Sequence, residues 1–121
     1  MIYQAKTSEE KRECFEFLQK HGTIPTTDLY FYYKDKEIKT VAGLEICFGD
    51  TSKVARIEPF QSDCIMGSIR LFDYLEGFIK GMGCTNIICM SNVEKVCDTL
   101  REKRNYKLWS EKLDHYIRNV D

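Results

Sequence analysis

The chain has 121 residues, 43% of them hydrophobic, with 18 basic and 19 acidic side chains and a formal net charge of −1. That length suits one domain, 1–121, able to bury roughly two-thirds of its unfolded surface, and the charge balance provides no field to draw in nucleic acid or an anionic membrane. No apolar run approaches the roughly 20 residues of a membrane-spanning helix, and the opening MIYQAKTSEEKR lacks the apolar centre and cleavage site of a signal peptide, so neither insertion nor export is expected.

MIYQAK alternates as a short strand, and the helix after it opens at TSEE, where Thr7 and Glu10 form a capping-box pattern. Cys14, Phe15, Phe17 and Leu18 recur at spacings of three and four, one buried face, and KHGTIP ends the helix near His21. DLYFYY and TVAGLEICFG are β-rich segments joined by KDKEIK, whose charges and Asp35 suit a tight hairpin turn. A third strand, KVARIEPF, follows GDTSK, which predicts a three-stranded antiparallel meander.

A long helix is predicted from Ser62 or Asp63, with Ile65, Ile69, Phe72, Leu75, Ile79 and Met82 as its sheet-facing stripe and GMG as its stop. TNIICMS is a continuous apolar run, the pattern of a strand covered on both faces. Asn92 is placed to cap a last helix with Val93, Val96, Cys97 and Leu100 inward, and the tail NYKLWSEKLDHYIRNV alternates as one or two strands. The order of segments predicts ARIEPF and TNIICMS as parallel neighbours joined by a right-handed crossover.

Six cysteines, at 14, 47, 64, 84, 89 and 97, include no C-x-x-C pair and fall mostly in apolar-patterned segments. They read as reduced thiols of a reducing, cytoplasmic compartment. His21 at a helix end and His115 in the tail have no second ligand type beside them, so no metal site is expected. Cys84, Cys89 and Cys97 lack zinc spacing, and core packing is their default over a thiol nucleophile. Arg101, Lys103, Arg104 and Lys107 sit at a helix C-terminus, where cations complement the dipole. Tyr30, Phe31, Tyr32 and Tyr33 send two rings to each face of the sheet: either both faces are covered, or one joins Trp109 in a protein-interaction patch.

VAGLEIC, ARIEPF, DYLEGFIKGMGCTNIICMSN and REKRNYK follow the order and rough spacing of the GNAT N-acetyltransferase superfamily, and the chain resembles a short, degenerate member over nearly its whole length. The resemblance implies an α/β (α+β) fold, with a mixed, mostly antiparallel central sheet and helices on both faces. It also implies a turn that holds the pyrophosphate of acetyl-CoA on backbone N–H groups at the start of the long helix. The family's Q/R-x-x-G-x-G/A becomes Asp63, Met66 and Ser68 here, counting back from Gly83. Shifting the register by one to allow for Gly67 does not restore it. Asp63 is expected to cap the helix itself, accepting from the N–H of Ile65 or Met66. At about 5 Å from a phosphate it would oppose binding by on the order of 3 kcal/mol at an effective dielectric near 20.

Aligning REKRNYK with the family's Y-E-K-x-G-F puts Arg101 where the tyrosine acid stands and Asn105 at the glycine. Glu58 lies where some members keep a water-linked base, though a strand glutamate is also an ordinary hydrogen-bonded surface residue. Asn92 matches the family's asparagine after the fifth strand, and helix capping explains it equally. Two functions are compatible with this pattern. One is a binding or assembly module that has lost acyl transfer, needs no cofactor and has a protein partner. Some tailed-phage virion and accessory proteins resemble such short GNAT folds. The other is an N-acetyltransferase acting on a primary amine, holding acetyl-CoA on the backbone of Met66, Gly67 and Ser68 with Glu58 as base.

Overall fold

The computed structural model describes residues 1–49, 52–90, 94–110 and 115–120. The elements run β1 (Ile2–Gln4), α1 (Ser8–Lys20), β2 (Leu29–Asp35), β3 (Glu37–Phe48), β4 (Lys53–Ser62), α2 (Ile65–Gly81), β5 (Asn86–Met90), α3 (Glu94–Lys103), β6 (Lys107–Ser110) and β7 (His115–Asn119). Their strands are ordered β1-β2-β3-β4-β5-β7-β6 in a seven-stranded sheet. β1–β2 and β2–β3 pair antiparallel. β4 and β5 are parallel neighbours, from Val54 opposite Asn86 to Ile57 opposite Cys89, with α2 as the crossover between them. The alternating tail forms two strands, β7 pairing antiparallel with both β5 and β6. Asn92 and Val93, and the side chains of Trp109 and His115, lie outside the described residues.

The chain divides into two compact units, Met1–Glu45 with Glu58–Phe78, and Ile46–Ile57 with Ile79–Asp121. In the first, Thr7 Oγ1 accepts from the Glu10 N–H (3.1 Å) and Glu10 Oε1 from the Thr7 N–H (3.2 Å), closing the predicted capping box. The helix ends at Lys20 with His21 as its cap. Ala5, Cys14, Phe17, Leu18, Tyr30, Tyr32 and Val41 form one core cluster, with Phe15 and Ile38 against it. Phe31 packs instead on Tyr74 and Phe78 of α2, with ring centroids 5.7 and 5.1 Å away. All four aromatics of β2 are therefore buried, two on each face, and none is left for an exposed patch.

One of two expectations holds here and the other is corrected. The charged segment 34–39 is the tight hairpin turn its sequence predicts: β2 runs to Asp35 and β3 starts at Glu37, so Lys36 alone reverses the chain, at φ +65°. The inward stripe of α2, by contrast, is rotated from the expected one. Leu71, Phe72, Leu75 and Ile79 are buried, whereas Ile65, Ile69 and Met82 are exposed. The buried ridge is the i+4 series Gly67, Leu71, Leu75 and Ile79, which a count of apolar residues misses because it begins on a glycine.

In the second unit, β5 pairs with β7 from Asn86 opposite Asn119 to Met90 opposite His115. The Thr85 N–H bonds the Lys53 carbonyl at 2.7 Å. Ile87, Cys89, Cys97, Leu100, Tyr106 and Tyr116 are buried there. Asn105, aligned above with a family glycine, takes φ +63°, a left-handed conformation that Asn tolerates better than most residues. That turn lets the Tyr106 N–H reach back to the Leu100 carbonyl at 2.8 Å, closing the end of α3.

Candidate functional site

The turn from β4 into α2 is where the first N–H groups of a helix are available to an anion. Ser62 closes β4, and its hydroxyl donates to the Cys64 carbonyl at 2.8 Å while accepting from the Cys64 N–H at 3.1 Å. A hydroxyl has one proton, so the 2.7 Å contact with the buried Thr40 hydroxyl is one in which Thr40 donates. Ser68 adds both its N–H (3.0 Å) and its hydroxyl (3.1 Å) to the same Cys64 carbonyl.

The capping residue is Cys64. Its sulfur accepts from the Gly67 N–H at 3.4 Å, the position a Ser or Asp oxygen usually fills. This corrects the expectation that Asp63 or Ser62 caps α2. The Asp63 N–H bonds the Lys39 carbonyl at 2.8 Å, and its carboxylate points to the end of α1. There Asp63 Oδ1 lies 3.0 Å from His21 Nε2 and Oδ2 3.8 Å from Lys20 Nζ. The His21 ring also packs on Phe17, with centroids 4.7 Å apart. The His21–Asp63 contact is close but off-axis, so Nε2 is buried without a well-aligned hydrogen bond.

Of the three backbone amides expected to hold phosphate, those of Gly67 and Ser68 are already bonded to Cys64, and only that of Met66 is left. Together with the Ile65 amide it makes two N–H groups at the positive end of α2 with no hydrogen bond among the described residues. The side chains around them are apolar: Ile65 is 80% exposed, Met66 51% and Ile69 44%. Lys39 pairs with Glu37 at 2.9 Å and Lys20 lies beside Asp63, while Arg70, exposed one turn beyond Met66 in α2, forms no ion pair among the described residues.

Gly67 has a structural role. A Cβ on it would stand 2.5 Å from Thr40 Oγ1 and 2.7 Å from Tyr33 Cδ1, so the first turn of α2 lies hard against β2 and β3 because the residue is glycine. Gly43 does the same in β3, where a Cβ would meet the Glu58 carbonyl at 2.5 Å and Pro59 Cδ at 2.8 Å. Glu58 is half-buried in β4, one residue past Ile57, the last residue paired with β5, and just before a proline that has no N–H to offer. It lies four residues from Ser62, roughly 13 Å along the strand. Arg101, at the place of the family's tyrosine acid, is exposed and bonds Asp98 at 2.8 Å, a partner that raises its pKa further.

The described residues contain no group of three or more His, Cys, Asp and Glu able to hold a metal ion, and no helix long and apolar enough to cross a membrane. The sequence signals missed were the cysteine before IMGS, which caps as serine would, and the pairing of His21 with an acid 42 positions away, which no local pattern encodes.

No protein-family model matches the chain, and no curated protein does. Solved structures match it along its whole length. An acetyltransferase of the GNAT family from Staphylococcus aureus Mu50 superposes with a TM-score of 0.71 at 14% identity, covering 100% of both chains. The ribosomal-protein-S18-alanine N-acetyltransferase of Escherichia coli gives 0.71 at 10% identity, covering 100% of this chain and 95% of that one. The aminoglycoside 6′-N-acetyltransferase of Enterococcus faecium gives 0.68 at 13% identity, covering 100% and 97%. The chain has the GNAT fold.

Proposed function

We propose that this protein carries the GNAT fold without acyl transfer and works as a protein-binding or assembly module. The observation that carries this reading is the first turn of α2. Ile65 and Met66 stand exposed beside the only two amides left open, and the Gly67 and Ser68 amides are held by Cys64. A pyrophosphate at a helix N-terminus needs close backbone approach and several donors. This turn has two donors flanked by apolar side chains. The same apolar turn suits contact with a protein surface. A tailed-phage virion or accessory role fits such a module, as does a reducing cytoplasm for its thiols.

A second reading, an acetyl-CoA-dependent N-acetyltransferase acting on a primary amine, is favoured by one observation. The Ile65 and Met66 amides are open because Asp63 turns away from them. In that case Met66 would hold phosphate and Glu58 would be the base. Isothermal titration with acetyl-CoA separates the two. The module reading expects no saturable heat at millimolar ligand, and micromolar binding would replace it with the enzyme.

A further inference from the structure

We draw no further inference here: the strongest candidate, the solvent-facing ridge of α2 that runs from Ile65 and Ile69 past Asp73 to Gly77, combines exposed apolar side chains with a glycine that its own chain does not need, and nothing in the structure shows what covers it.

Discussion

His21 Nε2 sits 3.0 Å from Asp63 Oδ1, so the last residue of α1's cap meets the residue that leads β4 into α2. The contact fixes Asp63 by its side chain while the Lys39 carbonyl fixes it by its N–H. Both groups are partly exposed, which limits the attraction to the scale of a surface pair. A double-mutant cycle with His21→Ala and Asp63→Ala in urea denaturation should give a coupling of roughly 0.5–1 kcal/mol. Lys20→Ala, removing a cation 3.8 Å away and largely in solvent, should change stability by much less. Zero coupling between His21 and Asp63 would mean that their proximity does not hold the turn.

Gly67 and Gly77 both lie in α2 and should respond oppositely to alanine. A Cβ on Gly67 runs into Thr40 and Tyr33, whereas one on Gly77 meets nothing within 4 Å. Alanine in a helix interior is favoured over glycine by about 1 kcal/mol, and overpacking costs typically ~1–3 kcal/mol. Gly77→Ala should therefore raise the melting temperature. Gly67→Ala should lower it, because displacing β2 or β3 outweighs the propensity gain. Equal gains at both sites would show that the first turn of α2 is free to lift off the sheet.

The same comparison shows where the sequence was legible. The capping box at Thr7 rests on local spacing and the parallel pairing of ARIEPF with NIIC on the order of segments, and both are in the structure. The facing of α2 was misread because burial there follows a close approach at Gly67, a tertiary contact with no apolar residue to mark it. Asp63 was misread for a related reason. As a local choice it is a good cap, but His21 and Lys39, far away in sequence, take its carboxylate and its N–H, leaving the cap to Cys64.

Acid should loosen the start of α1. Glu10 accepts from the Tyr32 hydroxyl at 2.7 Å and from the Thr7 N–H, and these bonds, Tyr32 first, hold its carboxyl below the usual range. A carboxylate with a depressed folded pKa contributes stability that is present above its unfolded pKa and lost as pH falls through the folded one. Tyr32→Phe removes the larger cause. The variant should be less stable at neutral pH and should lose less further stability between pH 5 and 3 than the parent. Parallel stability–pH curves for the two proteins would refute the coupling.

The six thiols should react in an order set by burial. Cys47 is exposed, Cys64 is half-buried, and Cys14 is fully buried, with its pKa pushed up to about 12 by burial and by the nearby carboxylates of Glu13 and Glu10. Only the thiolate attacks an alkylating agent. Brief iodoacetamide treatment of the native protein at pH 8, followed by peptide mass mapping, should label Cys47 first and Cys14 last. Early labelling of Cys14 would mean that α1 opens readily from the sheet.

The last prediction tests the proposed loss of acetyl-CoA binding at the head of α2. If the obstacle were the Asp63 charge, Asp63→Gln would relieve it. The carboxylate instead lies against His21 and Lys20, so neutralising it should leave acetyl-CoA binding unchanged. On the proposed reading the side chains of Ile65 and Met66 are the obstacle, because they flank the two open amides. Ile65→Gly with Met66→Gly should expose those amides and give the largest gain in affinity of any change at the turn. A ligand stabilises by RT ln(1 + [L]/Kd), so the parent should show almost no rise in Tm with millimolar acetyl-CoA while the double-glycine variant shows a measurable one. If Asp63→Gln alone produces the rise, charge rather than shape closes this turn.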